Sequence, residues 1–231
     1  MFRSAATLAA LALSASAYAA QPTPTVQPII GLYNTGEYLA AGQVDPHYSF
    51  SQGTGTAAGT GGFGVVSADS AWPVGPWLAN TADSKWIAPS ANTAESYDPA
   101  GNGIYSWTLS FNLTGYDASS AWIKGNWAAD NNGRVFFNGT EVSSSSADQA
   151  FYDLIPFSID SGFNSGVNTL VFEVVNLAQN GGNPTGLRTL FSSGAAALVQ
   201  PSSAVPEPAT VALTLAGLAV VAGVARRRRH A

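Results

Sequence analysis

An all-β domain built as an antiparallel sandwich is predicted by three observations. Between Gly103 and Gly115, Tyr105, Trp107, Leu109, Phe111 and Leu113 alternate with Ser106, Thr108, Ser110, Asn112 and Thr114. A helix would scatter the five large side chains around its circumference, whereas a strand places them on one face and the hydroxyls and amides on the other. Second, Asn138-Gly139 stands between two short β-prone runs, and both residues tolerate the positive φ of a hairpin turn whose twist suits its flanking strands. Third, no segment between Gln21 and Val199 carries the 3.6-residue stripe of a long amphipathic helix. The number and spacing of the strands, with long early loops, favour a jelly roll over an immunoglobulin-type sandwich.

Taken in order, residues 1–19 read as a signal peptide: Arg3, an apolar stretch from Ala5 to Ala15, then Ala17-Tyr18-Ala19 with small residues at the two recognition positions of signal peptidase. Cleavage is expected after Ala19. The folded domain then occupies residues 20–199, long enough to bury a substantial core without disulfides. Gln21 to Pro28 is an extended lead-in. Gly53 to Gly64 holds six glycines; no Lys-Ser or Lys-Thr follows them, so a mobile loop is expected and a phosphate loop is not.

The strand at Gly103–Gly115 is followed by expected strands at Ala121–Lys124, Arg134–Phe137 and Thr140–Ser143, then a short one at Phe157–Ile159. Thr169–Asn176 reads Thr-Leu-Val-Phe-Glu-Val-Val-Asn, apolar on nearly both faces, which places it inside a sheet with Glu173 seeking water or a partner. Leu187–Phe191 is the last expected strand.

Charge and composition narrow the partners. Outside the two ends only Lys85, Lys124, Arg134 and Arg188 are basic, against thirteen acids between residues 20 and 205, so the domain carries nine net negative charges, 4 minus 13. Such a surface repels phosphate backbones and anionic headgroups, and no nucleic acid is expected as a partner. There is no cysteine, and His47 is the only histidine in the domain. Thiol, serine-type and zinc-hydrolase chemistry lose their usual components.

The C-terminal end has three parts. A linker at 200–208 ends in Val205-Pro206-Glu207-Pro208, an apolar stretch runs from Ala209 to Ala225, and residues 226–231 carry Arg226, Arg227, Arg228 and Arg229. Seventeen helical residues span ~26 Å, slightly short of a ~30 Å hydrocarbon core, and arginines snorkel across such a gap. A single transmembrane helix with a cytoplasmic basic end is expected, leaving the domain outside.

This order closely resembles the PEP-CTERM sorting signal, in which a Pro-Glu-Pro motif, a transmembrane stretch and a basic cluster close the chain. Pro206, Glu207 and Pro208 match the motif, and Arg226 to Arg229 the cluster. The resemblance implies recognition by an exosortase, a membrane-embedded transpeptidase-like enzyme of exopolysaccharide-producing Gram-negative bacteria. It further implies transient anchoring in the inner membrane, then residence at the cell surface or in the extracellular matrix.

Within the domain, Asn138-Gly139 and Gly166-Val167-Asn168-Thr169-Leu170 are similar to the turn pattern of galactose-binding-like jelly rolls, which implies architecture and no particular ligand. Six tryptophans offer faces for pyranose stacking. Trp107 belongs to the core by its strand position, leaving Trp72, Trp77, Trp86 and Trp122 as the candidate platform. For the first three, in a proline-rich loop region, burial as a plug competes with exposure. Asp130-Asn131-Asn132-Gly133 offers oxygen atoms of the kind calcium takes, but without the alternating spacing of a calcium loop; a tight turn explains the same residues. No cofactor is expected apart from a structural calcium at that place. Asn176, Asn180–Pro184 and Arg188 form a further polar cluster.

Three functional readings follow: a non-catalytic module that binds exopolysaccharide, a structural or adhesive biofilm protein without a defined ligand, and a two-carboxylate glycosidase. The first is preferred.

Overall fold

The computed structural model describes residues 23–57, 62–69, 72–200 and 210–228. The chain forms two units, residues 24–199 and residues 1–23 with 200–231. The first holds β1 (Val26–Pro28), β2 (Val44–Gln52), β3 (Phe63–Val66), β4 (Ile87–Ala88), β5 (Gly103–Asn112), β6 (Tyr116–Asp130), β7 (Asn132–Phe137), β8 (Thr140–Ser145), β9 (Ile155–Ile159), β10 (Val167–Asn176) and β11 (Gly186–Leu198). These strands pair only antiparallel, along one hydrogen-bonded path β8-β7-β10-β5-β2-β3-β4-β11-β6-β9, with β1 added to β11.

That path folds over on itself between β3 and β4, so the antiparallel sandwich read from the sequence is present. Phe172 on β10 lies 6.3 Å, ring to ring, from Phe157 on β9. The Tyr48 hydroxyl on β2 meets Thr189 Oγ1 on β11 at 2.6 Å. Trp127 on β6 donates its indole N–H to Ser143 Oγ on β8 at 3.0 Å. The alternation along β5 works as expected: Tyr105, Trp107, Leu109 and Phe111 are buried and face Val174, Phe172 and Leu170 across the β5–β10 register. β10 lies between β5 and β7, inside the sheet, with Leu170, Phe172 and Val174 buried on its core face. Glu173 finds its partner in Arg134, whose Nε donates to Oε1 at 3.1 Å.

Elements escaped the sequence reading where a polar or glycine residue interrupts the pattern. In β2, the buried Asp45 and the following Pro46 break the alternation that Tyr48, Ser49, Phe50 and Ser51 otherwise show. The expected strand at Ala121–Lys124 extends through Gly125 to Asp130. Gly125 is required there, because a Cβ would stand 2.7 Å from the Phe157 ring. The glycine-rich run is only in part the expected loop: Phe63 and Gly64 begin β3, and Gly55 packs so closely on Tyr105 that a Cβ would overlap its ring. Residues 58–61 of that run lie outside the described residues.

The two turn devices at Asn138 and Asn168 interlock. Asn138, at φ 47°, and Gly139, at φ 83°, close the β7–β8 hairpin. Asn138 Nδ2 donates to Asn168 Oδ1 at 2.8 Å, and Asn138 Oδ1 accepts from Thr169 N at 2.9 Å. Asn168 is fully buried; its Oδ1 also accepts from Asn164 N, and its Nδ2 donates to the Asn164 and Gly166 carbonyls. Replacing it leaves several half-buried groups unpaired. Asn168→Ala is therefore expected to lower stability by about 2 kcal/mol, seen as a reduced urea midpoint at unchanged slope. An unchanged midpoint would show that water restores every one of these bonds.

The second unit contains one described element, the helix α1 (Thr210–Arg228). Arg226, Arg227 and Arg228 lie in its last turn, at the negative end of its dipole. Among the described residues no helix is long and apolar enough to cross a membrane. The expected signal peptide at 1–19, the Pro206-Glu207-Pro208 motif and Arg229 lie outside the described residues.

Candidate functional site

The outer face of the β8-β7-β10-β5-β2-β3 layer carries what the core excludes. Period two places Ser106, Thr108 and Ser110 of β5 opposite its buried aromatics, and the register sets Ser49 and Ser51 of β2 beside Thr108 and Ser106. On the other side Val171 pairs with Thr108 and Thr169 with Ser110. Where β2, β3 and β5 meet, this surface is hollowed into an open groove of about 270 Å³, lined by Pro46, His47, Ser49, Phe63, Thr108 and Ser110.

The groove's wall is held by the core beneath it. The His47 imidazole stacks on the Tyr33 ring, with centroids 3.5 Å apart and planes within 11°. Tyr33 is placed by Tyr48, whose hydroxyl donates to the Tyr33 carbonyl at 2.6 Å. Having spent its one proton there, that hydroxyl accepts from Thr189 Oγ1. Asp45 is buried; its two oxygens accept from Gly36 N at 2.7 Å and His47 N at 3.0 Å, which fixes the His47 backbone and the loop carrying Tyr33 together. Burial raises the Asp45 carboxyl pKa above the ordinary value, opposed by those two amide bonds. Lys85 Nζ closes the same loop by donating to the Gly36 and Leu39 carbonyls.

Chemically, the groove offers flat apolar surfaces in Phe63, Pro46 and His47 beside hydroxyl groups that both donate and accept. That combination suits a pyranose ring, with an apolar C–H face and a polar rim. Among the described residues no carboxylate lines it, whereas glycoside hydrolysis needs two flanking the bond. Of the acids that sequence alone left available, Asp98 is buried and accepts from Tyr105 Oη, Asn176 Nδ2, Thr56 N and Thr56 Oγ1. Four donors make it a loop fastener.

The tryptophan platform is corrected at two positions. Trp77 is 3 % exposed and Trp86 fully buried, packed together at 4.4 Å between ring centroids in a small second core with Ala128. Their indole N–H groups are satisfied inside, by Asp130 Oδ2 and the Leu78 carbonyl, each at 2.8 Å. Neither presents a face to solvent, because the segment after β3 folds down onto β6 and buries its largest apolar surfaces there. Trp72 is 48 % exposed, and Trp122 sits half-buried on the outer face of β6 with Lys124 Nζ 5.9 Å above its ring. Neither is part of the groove. The structure thus brings Trp77 and Trp86 together as core and leaves Trp72 and Trp122 apart from them. What the sequence reading missed is His47 and Phe63; the Tyr48–Ser51 alternation was the available signal.

The remaining polar clusters are structural. Asp130, at the end of β6, is buried, and burial pushes its carboxyl up to about 7, opposed by the Trp77 bond. Asn131 ties the chain to the end of β10, its N–H donating to the Val175 carbonyl and its Oδ1 accepting from Leu177 N. Among the described residues no group of three or more His, Cys, Asp or Glu side chains is placed to hold a metal ion. Asn183 Nδ2 donates to the Tyr97 and Leu177 carbonyls. Arg188 is buried and pins the 79–84 loop through Ala79 O, Thr81 Oγ1 and Ser84 Oγ.

Comparison with known proteins identifies the tail. Residues 204–229 match the family model of the PEP-CTERM protein-sorting motif. No curated protein matches the chain. Among solved structures, the chain is similar to a carbohydrate binding module of family 29 at 10 % identity and TM-score 0.32, over 75 % of this chain and 89 % of that one. A mutant family 29 module complexed with mannohexaose gives 11 % identity and TM-score 0.32, over 78 % and 100 %. A family 35 carbohydrate binding module from an environmental isolate gives 10 % identity and TM-score 0.30, over 68 % and 97 %. Likenesses this distant carry nothing about a ligand.

Proposed function

We propose that this chain is an exported, exosortase-processed protein whose sandwich domain binds a neutral exopolysaccharide without turning it over. The observation that carries the binding half is the groove at β2, β3 and β5, where aromatic and hydroxyl side chains line one concave surface. Pyranose rings stack on such aromatics and exchange hydrogen bonds with such hydroxyls. The negative charge of the domain favours a neutral chain over an anionic one. The sorting half is supported by the motif at 204–229 and by α1, whose Leu218, Val220, Val221 and Val224 are apolar and exposed. In this reading signal peptidase removes residues 1–19, the sorting tail holds the chain transiently at the inner membrane, and an exosortase acts at Pro206-Glu207-Pro208. The product then stays at the cell surface or in the extracellular matrix.

A glycan array with the purified domain tests the binding half. Saturable binding to a neutral glycan, weakened about tenfold by Phe63→Ala with the melting temperature little changed, is expected. No binding on the array would leave a structural matrix protein, and release of shorter oligosaccharides would make it an enzyme. For the sorting half, deletion of Pro206–Pro208 is expected to abolish tail removal and retain the protein in the inner membrane; unaltered processing would refute it.

A further inference from the structure

The register extends the groove into something longer. Ser49 pairs with Phe63 on one side and with Thr108 on the other; Thr108 pairs with Val171, and Val171 with Phe136. Phe63, Ser49, Thr108, Val171 and Phe136 therefore form one row across β3, β2, β5, β10 and β7, all on the solvent side and none fully buried. The row begins and ends on a phenylalanine, with the hydroxyls of Ser49 and Thr108 and the Val171 side chain between. Four strand spacings make ~19 Å, roughly the length of four linked pyranose rings.

The far end has its own polar equipment. The Arg134 guanidinium lies 5.2 Å from the centre of the Phe136 ring. It is held there by Glu173, to which Nε and Nη2 both donate. Half the Arg134 side chain is exposed, and Glu141 stands 3.9 Å from Nη1. A guanidinium fixed by a carboxylate beside an aromatic face presents oriented N–H donors at little entropic cost, and its charge is already neutralised.

We infer that Phe136 and Arg134 form a second sugar subsite, and that the ligand is a linear neutral polysaccharide lying across the strands from Phe63 to Phe136. This rests on the binding reading above and adds the ligand's form, its direction and two recognition residues. An anionic chain is disfavoured, since the Arg134 guanidinium beside the row is already paired with Glu173. A branched or globular glycan would leave the far end unused.

Calorimetric titration of the whole domain with β-1,4-linked gluco- and manno-oligosaccharides of two to six residues tests this. Affinity is expected to rise about tenfold or more between the disaccharide and the tetrasaccharide, then to level. Phe136→Ala is expected to bring hexasaccharide affinity down toward that of the disaccharide while leaving disaccharide binding unchanged. Val171→Trp blocks the middle of the row from the solvent side without opening a cavity, and the same loss is expected from it if Phe136→Ala misfolds. Hexasaccharide binding with no dependence on length, or unaltered by both variants, overturns the second subsite alone. Failure of every oligosaccharide to bind the unaltered domain overturns the binding reading with it, as does preferential binding of a polyuronate of the same length.

Discussion

Trp86→Ala is expected to destabilise the domain by about 3–5 kcal/mol and to leave glycan affinity unchanged wherever the variant remains folded. Trp86 is fully buried, and its ring packs on Trp77 and Ala128. Its indole N–H ends on the Leu78 carbonyl, and its backbone N–H on Asn80 Oδ1 at 2.7 Å. Truncation opens a cavity that rigid neighbours fill only in part, since β6 lies beneath and the Arg188-pinned loop beside it. Urea unfolding gives the stability change, and titration well below the melting temperature gives the affinity. Lost binding with unchanged stability would restore Trp86 as a ligand platform. The half-buried Trp122, outside both cores, is the control: Trp122→Ala is expected to cost clearly less than Trp86→Ala, about 1 kcal/mol or below.

Asp130→Asn is expected to make the domain more stable at pH 8 by up to about 4 kcal/mol, with the advantage vanishing near pH 4. The sign follows from burial. The carboxyl titrates at about 7 in the folded domain against 3.8 for the unperturbed group, so folding favours its protonated form. The stability this group contributes is therefore complete below pH 3.8 and is lost as pH rises through about 7. Asparagine resembles the protonated acid: it is uncharged and keeps a carbonyl oxygen to accept the Trp77 N–H at 2.8 Å. Differences between variant and parent, measured by urea unfolding at several pH values, cancel the titration of the other acids. Parallel stability curves for the two proteins would show that water reaches Asp130 and that its charge costs nothing.

These two expectations concern residues whose meaning changed between sequence and fold. Trp86 stands in a proline-rich segment whose local pattern is compatible both with a buried plug and with an exposed platform. Its segment returns onto β6, a long-range contact that no local pattern encodes. Asp130 was read within a turn that could hold an ion, yet its one side-chain hydrogen bond goes to Trp77, 53 positions away. The groove was hidden for a similar reason. His47 and Phe63 come from strands separated by the glycine-rich run, and β2 was masked by a buried aspartate satisfied through the Gly36 and His47 amides.

What the amino-acid order determined by itself is local. The alternation at Tyr105–Leu113 specifies a strand and its buried face, because side-chain direction in a strand depends only on parity. Asn138-Gly139 specifies its hairpin, because positive φ is affordable to few residues. The sorting tail is legible for the same reason: its three parts are contiguous and are recognised as a linear segment. Which outward-facing residues meet was decided only by the tertiary structure. Strand order and register bring Phe63, Thr108 and Phe136 into one row, and those depend on how the apolar faces of all the strands close over a shared core.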